Sequence, residues 1–396
     1  MPVSSNGLHE WSDSGITEAI LMKIAQVAPL YEAVPPIWYG GTERVVSYLT
    51  EELIRQGHDV TLFASGESVS AARIVSPVRR ALRLDSACID PLAHHYVMLE
   101  QVFRASHQFD LIHFHIDYLH FPVTRRHRIP NVTTLHGRLD IADLRPLYDE
   151  FHDMPVISIS DAQRRSLPQV NWQSTVYHGL PPELYTLNER PEEYLAFLGR
   201  VSPEKRLDRA FAIARQVGMK LKVAAKVDKS DKEYFDGVIK PLLAESRSFV
   251  EFIGEIRDTE KNEFLGNAAA LLFPIDWPEP FGLVMIEAMA CGTPVIAARR
   301  GSVPEVITDG VTGFVYDSMD EAVAAVERLK TFDRKQCRAA FESRFCVSRM
   351  ASEYVAVYRR LVEAPGKHAR RGRRTDGRDY PSQRTVLHPG HGVTGR

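Results

Sequence analysis

The chain has 396 residues, with 49 Lys and Arg against 51 Asp and Glu and a formal net charge of -2. That balance gives no whole-chain reason to bind nucleic acid or a membrane surface. The length exceeds one ordinary core, so two domains are expected, and 44% hydrophobic with 25% charged residues is usual for a soluble globular protein.

Four cysteines (Cys88, Cys291, Cys337 and Cys346) lack metal-type spacing and read as packing residues in a reducing compartment. No run is long enough to span a membrane. Residues 1–21 carry Glu10, Asp13 and Glu18 with no basic start and no apolar core, so they read as an extension rather than a secretory signal. A cytoplasmic protein is expected.

Lys23 to Ala28 reads as a buried strand, followed by a loop through Pro29, Pro35 and Pro36 to Gly40-Gly41. A helix from Thr42 to Gln56 places Val45, Val46, Leu49 and Leu53 on one face. Strand-like runs follow at Val60–Ala64, Leu111–His115, Val132–Leu135, Val156–Ser160 and Thr175–Tyr177, with helical stretches near Leu92–Ala105 and Asp161–Leu167. Such alternation predicts a parallel sheet covered by helices. Gly179 to Pro191 reads as a linker. The alternation then restarts, with strands at Tyr194–Leu198, Leu221–Ala225, Val250–Ile253, Ala270–Phe273 and Val295–Ala298. Helices are expected at Leu207–Val217, Lys232–Leu243, Thr259–Ala268, Asp320–Leu329, Arg334–Arg344 and Ser348–Val362. The expected architecture is α/β, two parallel-sheet domains facing a cleft, at 22–187 and 188–347. Residues 364–396, rich in Arg, Gly, Pro and His, read as a disordered basic tail.

The chemistry gathers at the predicted carboxyl ends of strands, where ligands bind in such sheets. In Trp277-Pro278-Glu279-Pro280-Phe281-Gly282-Leu283, Glu279 lies in a loop where a carboxylate is readily solvated. Glu287 lies inside an apolar helix, and a buried carboxylate needs donors, such as the hydroxyls of a ligand. The amides of Phe281, Gly282 and Leu283, at that helix start, suit an anion. Arg200 and Lys205, between a strand and a helix, suit a diphosphate, although a solvated helix start would look the same. Gly41 opens the first helix and permits close approach of a phosphate or sugar. His136 ends a strand where a substrate is within reach, although a lone loop histidine is more often a structural hydrogen-bonder; His178 borders the linker. His113 and His115 project to one side of their strand with Asp117 following, but no third metal ligand is identifiable.

On these residues the chain resembles the retaining nucleotide-sugar glycosyltransferases of family 4, with the GT-B fold of two Rossmann-like domains. The match runs from about Met22 to Val362. It is carried by Glu279 and Glu287 in their Glu-Pro-Phe-Gly-Leu and Glu-Ala-Met-Ala-Cys-Gly-Thr-Pro context, by Gly40-Gly41-x-Glu43, by Gly199-Arg200 with Glu204-Lys205, and by Gly301-Ser302-Val303-Pro304-Glu305. The resemblance implies that Glu279 binds donor-sugar hydroxyls, Glu287 the ribose, and Arg200 and Lys205 the diphosphate in place of a metal ion. It places Gly41 near the phosphates and His136 near the reacting carbon. It further implies that 348–363 crosses back to the N-terminal, acceptor-binding domain. The implied donor is a nucleotide-diphosphate sugar. The acceptor, a saccharide, a lipid-linked molecule or a small molecule, is not specified. The family often has Asn-Gly-Val-Asp where this chain has His178-Gly179-Leu180-Pro181. Two other classes remain open: a nucleotide-sugar epimerase on the same fold, and a non-catalytic sugar-nucleotide binder.

Overall fold

The computed structural model describes residues 21–363 apart from Tyr39 and Arg128. The expected extension, save Leu21, and the expected basic tail lie outside the described residues.

Among the described residues thirteen strands form two sheets, and every pairing within them is parallel. The first holds β1 (Lys23–Val27), β2 (Asp59–Phe63), β3 (Arg73–Val75), β4 (Leu111–Phe114), β5 (Asn131–Thr134), β6 (Val156–Ser158) and β7 (Trp172–Thr175), in the order 3-2-1-4-5-6-7. The second holds β8 (Tyr194–Arg200), β9 (Lys220–Lys226), β10 (Val250–Gly254), β11 (Ala270–Phe273), β12 (Val295–Ala298) and β13 (Gly313–Tyr316), in the order 10-9-8-11-12-13. Each sheet therefore reverses strand order once, between β1 and β4 and between β8 and β11. A crevice opens beyond the carboxyl ends at each such switch point. These are two Rossmann-like domains.

Sequence and structure agree best where strands are buried on both faces. All four residues of β11 and of β12 are buried, and so are all four of β4, which gives the unbroken apolar runs of central parallel strands. They differ at edges. β7 lies at Trp172–Thr175 rather than Thr175–Tyr177, because its four residues are all half-buried and carry no alternation. β3 and β13 had no strand expectation. β3 is a three-residue edge with one exposed and two half-buried positions, and β13 follows directly on the glycine-containing turn at Asp309–Gly313. The helix expected at Lys232–Leu243 contains a π-helical stretch at Phe235–Ile239.

The helix Val347–Glu363 belongs to the core of the first sheet. Its Met350, Ala351, Tyr354, Val357 and Tyr358 pack with Ile24, Val45, Leu49, Leu53, Leu111, Val132 and Val176. The chain thus leaves the first sheet near Val176 and returns to it at Val347, and the two passages touch. The Leu180 amide donates to the Phe345 carbonyl and the Val347 amide to the Leu180 carbonyl, both at 2.9 Å. Gly179 is required at this crossing: a Cβ there would lie 2.5 Å from the Cys346 carbonyl oxygen. Truncating the fully buried Tyr354 to alanine should destabilise the first domain by about 3–5 kcal/mol, the usual cost of deleting a large aromatic core side chain. Urea unfolding would check this, and a loss near zero would show that the helix is not part of that core.

Candidate active site

A cleft of about 670 Å³ lies between the sheets, with its walls formed by the loops that leave the two switch points. From the first domain come Gly40 to Arg44 at the start of the helix Gly41–Arg55, His115 to Asp117 after β4, His136 to Arg138 after β5, and His178. From the second come the end of β8 with Arg200 and Lys205, Lys261, and the run from Glu279 through Leu283 to Glu287. All nine residues singled out from the sequence (Gly41, His136, Arg200, Lys205, Glu279, Phe281, Gly282, Leu283 and Glu287) lie on its walls. Opposite walls approach closely: a Cβ on Gly41 would lie 3.7 Å from the Leu283 side chain.

Glu279 differs from the solvated loop carboxylate expected of it. Only 8% of the residue is exposed, and its carboxylate pairs directly with the Lys205 ammonium. That ammonium sits 4.9 Å from the Trp277 ring centroid and 5.5 Å from that of Phe273, so two aromatic faces and one carboxylate hold it. The Glu279 backbone is pinned by the Ser302 amide on its carbonyl at 3.0 Å, while the Ser302 hydroxyl donates to the Phe281 carbonyl at 2.9 Å. Gly301 makes this possible. It has φ of 54°, and a Cβ on it would overlap the Glu279 backbone.

Glu287 is 3% exposed, and the structure supplies a partner from within the protein. Lys261 reaches it from the helix Asp258–Gly266 at 2.9 Å and pairs with Asp258 at 3.1 Å. Asp258 in turn pairs with Arg44 of the other domain. A charge chain Glu287–Lys261–Asp258–Arg44 therefore crosses from wall to wall. The inference that Glu287 needs a ligand to be satisfied is corrected by Lys261. Sequence reasoning missed that residue because a lysine on a short polar helix reads as surface.

Arg200 is also engaged with carboxylates, to Glu204 at 2.5 Å, Asp231 at 3.4 Å and Asp228 at 3.9 Å. Between these charged groups, the amides of Phe281, Gly282 and Leu283 have no acceptor among the described residues. They open the helix Leu283–Ala290, where the dipole favours an anion. At a separate point Glu305 of the second domain accepts from the amides of Asp161 and Ala162 at 2.7 and 2.6 Å and from the Tyr177 hydroxyl at 3.1 Å. It caps a short helix of the first domain and ties the two together.

On the first-domain wall the histidines cluster. The His136 Nε2 lies 2.9 Å from the His115 Nδ1, whose ring is bound at Nε2 to Gln26 at 2.7 Å. The His136 and His178 rings stack 5.4 Å apart. Burial pushes His136 down from its ordinary 6.5 to about 3, and holds His113, His115, His120 and His178 well below that ordinary value. These rings are neutral at pH 7. All four ring nitrogens of His113 and His115 are engaged by Tyr358, Thr134, His136 and Gln26. Among the described residues no group of three His, Cys, Asp or Glu side chains is arranged to hold a metal ion. Asp117, next to them, has a left-handed φ of 51°, a conformation costing about 1–3 kcal/mol that concentrates at functional sites.

Residues 39–203 match the family model described as Glycosyltransferase Family 4, and 186–342 the one described as Glycosyl transferases group 1. The chain is a GT-B glycosyltransferase of the family 4 type. An uncharacterized glycosyltransferase of Methanocaldococcus jannaschii is 24% identical, covering 87% of this chain and 100% of that one. The D-inositol 3-phosphate glycosyltransferase of Mycolicibacterium smegmatis is 26% identical over 63% of this chain but only 60% of its own length. Among solved structures, AviGT4, a glycosyltransferase involved in avilamycin A biosynthesis, superposes with a TM-score of 0.67 at 25% identity, over 87% of this chain and 98% of its own. Anabaena HepE in complex with UDP and glucose gives 0.68 at 18% identity, over 86% and 100%.

Two outcomes follow from the geometry of this glycosyltransferase. Gly301→Ala should cost more than about 1 kcal/mol, because the left-handed φ and the Glu279 backbone both oppose a methyl group; a wild-type urea midpoint would refute the close approach. The buried neutral histidines titrate near 6.5 once unfolded, so the unfolded chain binds more protons and stability rises with pH. Their contribution is complete above 6.5 and is lost as pH falls toward the depressed folded values, near 3 for His136. Each histidine adds about 1.4 kcal/mol per pH unit within that window. Urea midpoints measured from about pH 7 down to about pH 5 should fall steeply, and a flat profile would mean that these rings are already charged or solvated.

Proposed function

We propose that this glycosyltransferase moves a sugar from a nucleoside diphosphate sugar to an acceptor hydroxyl with retention at the anomeric carbon. The supporting observation is the second-domain wall, where two carboxylate–lysine pairs, Glu279–Lys205 and Glu287–Lys261, flank the uncommitted amides of residues 281–283. A nucleoside diphosphate sugar presents complementary groups in the same order: sugar hydroxyls, a diphosphate, and ribose hydroxyls. HepE, whose structure holds UDP and glucose, has the same fold and supports a donor of this class. On this reading residues 188–347 hold the donor. Residues 22–187, with 348–363 packed back on them, hold the acceptor.

The reaction breaks the bond between the anomeric carbon and the β-phosphate oxygen and forms one from that carbon to the acceptor oxygen. The acceptor proton passes to the departing diphosphate. Charge grows on the diphosphate as it leaves, and Lys205, Arg200 and the helix amides are placed to meet it. Lys205 would turn from Glu279 to the phosphate, leaving the carboxylate to accept from sugar hydroxyls. These cations take the part a metal ion plays elsewhere, so turnover should survive chelation. Retention rests on the family resemblance alone, since no residue here reads as a covalent nucleophile. A cytoplasmic site of action fits the four unpaired cysteines, and no described helix is long and apolar enough to cross a membrane.

Lys205→Ala should lower kcat on the order of a hundredfold at saturating donor, as loss of one charge-stabilising contact does. Nucleoside diphosphate release and the anomeric proton of the product would be followed by NMR. An unchanged rate would exclude the role of Lys205, an inverted product would exclude retention, and an altered sugar still on its nucleotide would mean isomerisation.

A further inference from the structure

Seven side chains run in one line of hydrogen bonds from the cleft to the crossing helix: His136, His115, Gln26, Tyr358, His113, Thr134 and Tyr354. Six of them are buried, and His136, at the cleft end, is half-buried. No charged group interrupts the line, so each junction must be made by a donor meeting a lone pair, and the sense of one junction constrains the next.

Gln26 sets the sense in the middle. Its amide nitrogen donates to the Tyr358 hydroxyl at 3.3 Å, which leaves its carbonyl oxygen facing the His115 Nε2 at 2.7 Å. His115 must therefore carry its single hydrogen on Nε2. Tyr358, accepting from Gln26, donates to the His113 Nδ1 at 2.7 Å, and His113 donates from Nε2 to Thr134 at 2.8 Å. Thr134 then donates to Tyr354 at 3.1 Å. The donor senses at Gln26 and at Thr134 run the same way along the line. At the cleft end, a neutral His115 with its hydrogen on Nε2 offers a lone pair at Nδ1, so His136 donates from its Nε2 at 2.9 Å. A neutral imidazole has one such hydrogen. The His136 Nδ1 is left as a bare acceptor, and it is a buried nitrogen with no partner among the described residues.

We propose that Tyr358, Gln26 and His115 are positioning residues that hold His136 in the Nε2–H tautomer, so that its Nδ1 accepts a hydrogen bond from a substrate hydroxyl. The hydroxyl rests on the glycosyltransferase reading of the cleft; the tautomer does not. The Tyr358 hydroxyl has no packing role, since a phenylalanine would fill the same apolar space among Ile24, Leu49 and Val357. Its contribution is directional. By accepting from Gln26 it keeps the amide from turning over, and so a residue on the returning helix decides which nitrogen of a cleft histidine is protonated.

The test is the 15N NMR spectrum of histidine-labelled enzyme, with His136 assigned by its loss in His136→Asn. The wild type should show His136 with hydrogen on Nε2 and none on Nδ1. Tyr358→Phe frees the Gln26 amide to turn, so His136 should become a mixture of tautomers. With it kcat should fall about three- to tenfold, the worth of one hydrogen bond, at unchanged donor KM. Gln26→Met breaks the same junction from a strand and should act alike, which covers the case of a poorly folding Tyr358 variant. Hydrogen on Nδ1 in the wild type, or an unmoved tautomer in a folded variant, overturns the proposal. If the tautomers behave as expected while no donor is turned over, the relay stands and the transferase reading falls.

Discussion

A carboxylate enclosed in protein must be met by a donor, because an uncompensated buried charge costs several kcal/mol or so. The second domain accepts that constraint twice, at Glu279 and Glu287. Each is met by a lysine from a different part of the chain, Lys205 after β8 and Lys261 before β11. The first pair fastens the loops at the carboxyl ends of the neighbouring strands β8 and β11, and the second joins the helix Asp258–Gly266 to the helix Leu283–Ala290. They also leave a wall that alternates anion, cation and open amide, the pattern that suits the proposed donor. On the proposed reading, the stability of this wall and its affinity for the donor draw on the same charges.

The charge chain does not stop at the domain boundary. Lys261 passes it to Asp258, and Asp258 to Arg44 at the opening of the first helix of the other domain. Glu305 makes a second crossing by capping the amides of Asp161 and Ala162. Separating the walls would expose or strand charges at both points, whereas a ligand that draws Lys261 or Lys205 away redistributes them. Contact between the walls therefore includes ion pairs and charge-assisted hydrogen bonds as well as apolar packing.

The sequence made the architecture readable where burial is two-sided. β11 and β12 match their apolar runs, and the helix Leu207–Val217 matches its period, because a single environment acts on consecutive residues. β3 and β7, each of partly exposed residues, carry no such pattern. All nine chosen residues reach the cleft, but the partners they make there were not readable. Glu279 looked like a solvated loop residue because its lysine lies 74 positions away. Lys261, Asp258 and Arg44 are ordinary surface-type residues in the sequence, and only the fold brings them to the cleft. The line from His136 to Tyr354 spans positions as distant as His113 and Tyr358, separated by 245 residues, a pairing no local pattern encodes.

The returning helix also imposes an order of assembly. The second sheet is built from one continuous stretch of chain, β8 to β13, and its strands and helices can close on one another as they are made. The first sheet cannot finish in the same way. Its core includes Met350, Ala351, Tyr354 and Tyr358, so the apolar face of the helix Gly41–Arg55 stays open until residues some 300 positions later exist. Long-range closure of this kind is slow. Although it is synthesised first, the domain that carries the histidine wall is completed last.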